Sequence, residues 1–148
     1  MEWRSKDEAR AWAKSFVKEF HRPCVVMLSG TLGAGKTQFV RWFLEELGVK
    51  NATSPTFAIH QEHESPSGSI DHVDLYRLEN DADLESTGFW DLLRNPQALL
   101  LVEWADRLPD DVWPKTWTRL KIHLDKDARG EEFRQGTIVI EPVGSKRP

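Results

Sequence analysis

The sequence is poor in the features that mark secreted and membrane-spanning proteins. Its 148 residues include one cysteine, Cys24, so neither an internal disulfide nor a cysteine-based metal site can form. The longest apolar runs, 24–28 and 98–102, are far shorter than the about 20 residues that a membrane-spanning helix needs. The first residues are polar and lack the apolar stretch of a secretory signal. We therefore expect a cytoplasmic protein.

Positive charge is not in excess either. Lys and Arg number 20 against 24 Asp and Glu, which gives a formal net charge of −4 at pH 7. Non-specific nucleic-acid binding depends on a clustered positive field, and this balance argues against it. The length suits one folded domain, and seven tryptophans argue against disorder. We expect a single domain over residues 1–148, with a frayed tail at 144–148.

Apolar spacing predicts the first helix and two buried strands. Residues 9–20 carry apolar side chains at helical intervals, and Ser5 followed by Glu8 has the spacing of a capping box. The runs at 24–28 and 98–102 are typical of strands buried on both faces of a parallel sheet.

The rest of the chain is predicted to hold three more helices and two hairpins. The helices are expected over 39–47, over 83–93 and from 104 to about 108. A turn signal at 65–68 separates two strand-like segments, and a polar loop at 125–132 separates another two. Parallel-type strands thus alternate with helices, with antiparallel additions, so we predict a three-layer α/β domain with a mixed sheet.

Residues 30–37 match a phosphate-binding loop. They read Gly-Thr-Leu-Gly-Ala-Gly-Lys-Thr and fit the pattern G-x-x-x-x-G-K-[ST] at every fixed position, between a predicted strand and a predicted helix. The glycines allow backbone N–H groups to converge on phosphate oxygens, and the helix adds its own unpaired N–H groups. Lys36 would reach the β and γ phosphates, and Thr37 would place its hydroxyl on Mg²⁺. The pattern predicts an α/β fold of the P-loop nucleoside triphosphatase type.

Two acidic residues are candidates for the metal, because Mg²⁺ on phosphates usually takes one or two protein carboxylates. Glu103 ends a predicted buried strand, and Asp74 lies on the second strand of the first hairpin, on the same face as His72. The residues leave open which acid contacts the metal and which acts through water. His60 and His63 are three apart on a predicted strand and point to opposite faces, which argues against a zinc site with His72.

Further segments extend the match beyond the loop. In this order and spacing, and together with the loop, they make the chain similar to the TsaE family (also called YjeE) over about residues 24–108. Members of that family are small bacterial P-loop ATPases required to make threonylcarbamoyladenosine in tRNA. The segments are Ser54-Pro55-Thr56-Phe57, His72-Val73-Asp74-Leu75-Tyr76-Arg77-Leu78, Glu85-Ser86-Thr87-Gly88 and Val102-Glu103-Trp104-Ala105-Asp106-Arg107.

The resemblance implies how ATP and Mg²⁺ are held. Thr37 and Glu103 would be metal ligands, and Asp74 would be a further carboxylate near the metal. Thr56, in a switch-like segment, would sense the γ-phosphate and complete a catalytic set with Lys36, Asp74 and Glu103. The ATP phosphates would lie against Leu32, Gly33, Ala34, Gly35, Lys36 and Thr37.

The resemblance also implies residues close to the nucleotide, and it has one departure. Trp104, directly after the acid, and Ser5, near the N-terminus, would lie near the bound nucleotide. The family's loop usually begins Gly-Asp, and Thr31 takes the place of the Asp here. That position supplies a side chain and not a required backbone group, so nucleotide binding is still expected, without a local carboxylate.

The resemblance further implies partners. Family members act with TsaB and TsaD, so we expect tRNA to contact this chain only indirectly, through those proteins. The leading hypothesis is an ATP hydrolase. The sequence shows no obvious internal arginine finger, although Arg77 is a candidate, so we expect hydrolysis to be slow for the chain alone and faster with its partners.

Three other functions stay open on the residues. A small-molecule kinase of the P-loop class would need an arginine-rich lid, for which Arg129 and Arg134 are candidates. A GTP-driven switch usually carries an Asn-Lys-x-Asp segment, and none occurs here. A binding module would use its nucleotide only to hold the fold.

Overall fold

The chain forms one mixed sheet with helices and turns on both of its faces. The computed structural model describes residues 2–31, 34–50, 59–78, 81–127 and 130–141. Within those ranges, none of the helices has the length and apolar character that a transmembrane span requires. The tail predicted at 144–148 lies outside the described residues.

The described part of the chain contains seven strands. Numbered β1 to β7 in chain order, they are Glu2–Trp3, Cys24–Gly30, His60–Ser65, Gly68–Asp74, Leu99–Glu103, Thr118–Asp127 and Gly130–Glu141. They form one sheet in the order β1-β7-β6-β2-β5-β4-β3. β2 pairs in parallel with β5 and β6, and β5 pairs in parallel with β4, whereas the remaining pairs are antiparallel. The predicted mixed sheet and both predicted hairpins, β3–β4 and β6–β7, are therefore confirmed.

Four α-helices are described, α1 at Lys6–Phe16, α2 at Lys36–Glu46, α3 at Asp81–Ser86 and α4 at Phe89–Leu92. The predicted cap of α1 is confirmed, because the Glu8 N–H donates to Ser5 Oγ at 3.1 Å. The Glu8 carboxylate reaches back to the N–H of Arg4, at 3.0 Å, one residue earlier than a capping box requires.

Three boundaries predicted from the sequence are wrong. The helix predicted over 83–93 is two short helices, because Gly88 adopts a left-handed conformation with φ 75° between them. The helix predicted after Glu103 is a 3₁₀ turn at Ala105–Arg107, which Pro109 prevents from continuing. The polar loop predicted at 125–132 is largely strand, because β6 and β7 continue their backbone pairing as far as Asp127 and Gly130.

Strand β2 is buried on both faces, as its all-apolar sequence predicts. Cys24, Val26 and Leu28 point into the core beneath α1 and α2. Val25 and Met27 point into a second core, formed with α3, α4 and the turns that follow β5. The strand that leads into the glycine-rich loop is thereby clamped between two apolar layers.

The β3–β4 hairpin holds two histidines on opposite faces, as strand alternation predicts. His60 Nε2 donates to Asp71 Oδ1 at 2.6 Å, and this hydrogen bond raises the pKa of His60 above its usual value. His63 lies opposite Ile70 on the α2 side, where burial lowers its pKa and the neighbouring His72 adds to that effect. The pKa values of the two histidines are therefore shifted in opposite directions.

The aromatic core beneath α1 and α2 gives a first prediction. The Phe43 ring lies 5.2 Å from that of Phe20 and within 6.4 Å of those of Phe16 and Phe39, and it is fully buried. Phe43→Ala should lower the free energy of unfolding by about 3–5 kcal/mol in urea denaturation. The control Ile140→Ala, at a strand position that is 45% exposed, should cost no more than about 1 kcal/mol. Equal losses at both positions would contradict this packing.

The histidine pair gives a prediction about pH. A raised folded-state pKa stabilises the protein below the unfolded value, about 6.5, and this contribution disappears as pH rises through the folded pKa. The stability lost in His60→Gln should therefore be larger at pH 6 than at pH 9. His63→Gln should show the reverse, because burial penalises the charged imidazole, so the lowered pKa of His63 costs the folded state stability below the unfolded value and this cost disappears at high pH. Urea unfolding at the two pH values checks both signs, and identical signs would contradict the assignment.

Candidate functional site

The ends of three neighbouring strands meet at one edge of the sheet. β2 ends at Gly30, where the glycine-rich loop begins, and β5 ends at Glu103. Glu103 on β5 is flanked by Leu28 of β2 on one side and by Asp74 of β4 on the other. The loop and both predicted acids are thus brought to the carboxyl edge, where α/β sheets bind ligands.

Two glycines make the loop possible where it leaves and rejoins regular structure. A Cβ on Gly30 would lie 1.9 Å from the carbonyl oxygen of Leu124 on β6, so only glycine fits beside that strand. Gly35 precedes α2 with φ 109°, a left-handed conformation that favours glycine. Between them, the Ala34 N–H donates to the Thr31 carbonyl at 3.1 Å. Leu32 and Gly33, predicted to bind phosphate, lie outside the described residues.

The Lys36 ammonium is folded back against the loop. It donates to the carbonyl oxygens of Gly30 at 2.9 Å and Thr31 at 2.7 Å, and the residue is only 4% exposed. Burial lowers the pKa of Lys36 below its usual range, and the carboxylates of Glu103 and Asp106 counter part of that shift. A buried cation therefore lies at the N-terminus of α2, where the first backbone N–H groups have no acceptors within the helix itself.

Trp104 covers the same ammonium from the other side. Its ring centroid lies 4.0 Å from Lys36 Nζ, which is cation–π distance. Tyr76 packs against Trp104 with ring centroids 4.9 Å apart, and the Arg107 guanidinium lies 5.4 Å from the Tyr76 centroid. Trp104 has φ 59°, the one positive φ of a residue other than glycine in the described ranges. Such strain in a bulky residue is typical of functional sites.

Glu103 links two elements through its two carboxylate oxygens. Thr37 Oγ1, on the first turn of α2, donates to Glu103 Oε1 at 2.6 Å. His72 Nε2, on β4, lies 2.6 Å from Glu103 Oε2. Glu103 and His72 are both almost fully buried, at 2% and 1% exposure. A buried chain of polar groups therefore runs from β4 through β5 to the start of α2.

The residues at this edge fit a magnesium ion bound together with phosphate. Mg²⁺ takes oxygen ligands at about 2.0–2.1 Å in octahedral geometry, so neighbouring ligand oxygens lie about 3 Å apart. The Thr37 hydroxyl and the Glu103 carboxylate are 2.6 Å apart and are hard oxygen donors. Among the described residues, no three acidic, histidine or cysteine side chains are placed to hold a metal by themselves. Phosphate oxygens and waters would have to complete the shell.

Of the remaining predicted site residues, Asp74 and Ser5 are described by the structure and the others are not. Asp74 lies beside Glu103 and also caps the turn that follows, because its Oδ1 accepts the Tyr76 N–H at 3.0 Å. Ser5 caps α1 through its hydroxyl. Thr56, with the rest of 51–58, and the side chain of Arg77 lie outside what the structure describes.

Three residues without a predicted role also lie at this site. His72 contacts Glu103, Tyr76 packs on Trp104, and Asp106 acts electrostatically on Lys36. Alternation along β4 predicts that His72 shares a face with Asp74. The pairing of β4 with β5 brings His72 to Glu103.

A strand, glycine-rich loop and helix with a buried lysine, beside an acid on the neighbouring parallel strand, define a P-loop type α/β fold. The predicted fold class is thereby confirmed. The sequence model described as "Threonylcarbamoyl adenosine biosynthesis protein TsaE" matches residues 3–135. The chain belongs to the TsaE family, as its motifs indicate.

Relatives agree with this membership. The tRNA threonylcarbamoyladenosine biosynthesis protein TsaE of Bacillus subtilis is 36% identical over 150 residues, which cover 99% of this chain and 88% of that protein. The protein of the same name from Rickettsia prowazekii is 36% identical over 104 residues, which cover 69% of this chain and 71% of that protein. The crystal structure of Bacillus subtilis YdiB superposes with a TM-score of 0.62 at 32% identity, covering 97% of this chain and 86% of that one.

Proposed function

We propose that this chain is a Mg²⁺-dependent ATPase that serves the threonylcarbamoyladenosine modification of tRNA. The modification is taken from the names of its relatives. The main support for ATPase activity comes from two features at the sheet edge. The buried Lys36 ammonium lies against the loop, and the Thr37–Glu103 hydrogen bond lies at the start of the helix that follows. Their placement supports the binding of a triphosphate with its metal.

The charge of Lys36 is the first element of the proposed mechanism. Its present acceptors are two backbone carbonyls, which carry only partial charge. A nucleotide's β and γ phosphate oxygens are stronger acceptors, so the ammonium would exchange carbonyl contacts for charge-assisted ones. The N–H groups at the start of α2 would bind the same oxygens. Both interactions stabilise the negative charge of a transferring phosphoryl group.

Thr37 and Glu103 would hold the metal, and Asp74 would act nearby. When bound, Mg²⁺ neutralises phosphate charge and aligns the nucleotide for attack by water. Asp74 lies in register with Glu103 at the same edge, which suits a carboxylate that orients the attacking water. Trp104 lies against Lys36 and would flank the bound phosphates. Thr56 stays a predicted γ-phosphate sensor.

The proposed partners are TsaB and TsaD, with tRNA held through them. Arg107, beside the site, is engaged with the Tyr76 ring, and its Nη1 donates to the Leu78 carbonyl at 3.4 Å. Hydrolysis by the isolated chain would then lack a free arginine finger unless Arg77 supplies one. In other P-loop proteins, an arginine supplied in trans raises the rate by about 10³–10⁵-fold.

The described residues provide no arginine-rich lid for the kinase alternative. The arginine lid that it requires was predicted around 125–135, a segment that includes the paired ends of β6 and β7. Arg129 and the side chain of Arg134 lie outside the described residues.

Nucleotide affinity tests the binding step. Lys36→Ala should weaken Mg²⁺–ATP binding by about 10–100-fold, because it removes a charge-assisted contact worth about 1.5–3 kcal/mol. Isothermal titration calorimetry with a slowly hydrolysed ATP analogue gives the dissociation constants. Lys14→Ala is the matched control, since Lys14 pairs with Glu45 near the opposite end of α2, at 3.5 Å, and its loss should leave affinity unchanged. A wild-type protein that takes up no adenine nucleotide would refute the proposal.

Turnover tests the proposed role of the partners. Phosphate release should be slow for the isolated protein and should rise at least tenfold when TsaB and TsaD are added. Glu103→Gln should abolish the stimulated rate, because an amide oxygen replaces the charged metal ligand. Phosphate release is followed with a coupled assay at saturating ATP and Mg²⁺. An unchanged rate at every partner ratio would count against the assembly, and rapid phosphate transfer to a metabolite would favour the kinase.

A further inference from the structure

We infer that His72 is a positioning residue that fixes the Glu103 carboxylate for metal binding, an inference that rests on the proposed function. The two side chains approach to 2.6 Å between His72 Nε2 and Glu103 Oε2, and they are 1% and 3% exposed. Among the described residues, the hydrogen bond of His72 is to Glu103 and not to the loop or Asp74, so its proposed effect on the metal passes through Glu103.

The strand register explains how His72 reaches this carboxylate. Asp74 is the partner of Glu103 across the β4–β5 pair, and His72 is the partner of Leu101, two residues earlier on both strands. Side chains two residues apart on a strand share a face. His72 therefore lies one diagonal step below Glu103 on the α2 side, where a long side chain can reach back to it.

The hydrogen bonds assign one partner to each carboxylate oxygen. An ionised carboxylate only accepts, so the proton of the 2.6 Å contact lies on His72 Nε2. Oε2 is thereby occupied, and Oε1 is left beside the Thr37 hydroxyl, where the metal would bind. Without His72, Oε2 would be a buried acceptor that lacks this donor, and the carboxylate could rotate. Such supporting contacts typically change metal affinity by about 10–100-fold.

The second nitrogen of His72 makes no contact that competes with Glu103. His72 Nδ1 is buried and has no hydrogen-bond partner among the described residues. The described polar contact of this imidazole is therefore directed to Glu103 alone.

Metal affinity, measured apart from turnover, tests this inference. Mn²⁺ serves as the probe for Mg²⁺ and is titrated by electron paramagnetic resonance into protein saturated with a slowly hydrolysed ATP analogue. His72→Leu should weaken Mn²⁺ binding by about 10–100-fold. Affinity for the analogue in EDTA should stay within about twofold, because no hydrogen bond joins His72 to the described residues of the loop. In steady-state turnover over a range of ATP concentrations, kcat should fall while the KM for ATP stays nearly constant.

Matched variants separate positioning from packing. His72→Gln places an amide N–H near the Nε2 position and should recover most of the Mn²⁺ affinity, whereas the shorter His72→Asn should not. If His72→Leu fails to fold, these two variants alone decide the question. His63→Leu removes a buried histidine on the same face, whose Nε2 has no partner in the described part of the chain, and should leave Mn²⁺ affinity unchanged.

The outcomes distinguish this inference from the function on which it rests. If the wild-type protein takes up no Mn²⁺–nucleotide, both are refuted. If the wild type binds and His72→Leu binds equally well, only the role of His72 is refuted. An equal loss in His63→Leu, or no difference between His72→Gln and His72→Asn, would likewise overturn it.

Discussion

The parallel pairing of β2 with β5 is the constraint on which the candidate site depends. Parallel strands place their carboxyl ends at the same edge, so the loop after Gly30 and the acid at Glu103 become neighbours although they are far apart in the chain. The pair is stable because β2 is buried on both faces, beneath α1 and α2 on one side and the turns after β5 on the other. The apolar layers thereby hold a set of charged groups in place.

Burial of those charges is costly unless each is paired. The Lys36 ammonium meets two carbonyls and the Trp104 ring, and the Glu103 carboxylate accepts from Thr37 and His72. Satisfied polar networks of this kind restrict side chains to one arrangement, at the expense of stability that an apolar core would provide. Under the proposed function, that restriction would keep the Lys36 ammonium and the Glu103 carboxylate near the positions from which both would bind one ligand.

Trp104 shows how backbone strain serves the same end. A helix directly after Glu103 would have carried the indole away from the loop. The left-handed conformation of Trp104 turns the chain sharply and lays the ring over Lys36, and Tyr76 packs behind it. The turns that follow Trp104 replace the helix predicted there, and they cover the apolar core that contains Val25 and Met27. Local propensity is overridden here by a contact that exists only in the folded chain.

Residue types and spacing by themselves determined the α/β class, the buried strands, the capped first helix, both hairpins and the membership of the TsaE family. These signals are local, since apolar periodicity, a turn sequence or a loop motif each lies within about a dozen residues. The strand order, the left-handed turn at Trp104 and the contact of His72 with Glu103 arise only in the folded chain. Pairing between β4 and β5 sets which side chains meet across the sheet, and α3 and α4 separate these two strands in the sequence, so no local signal joins them.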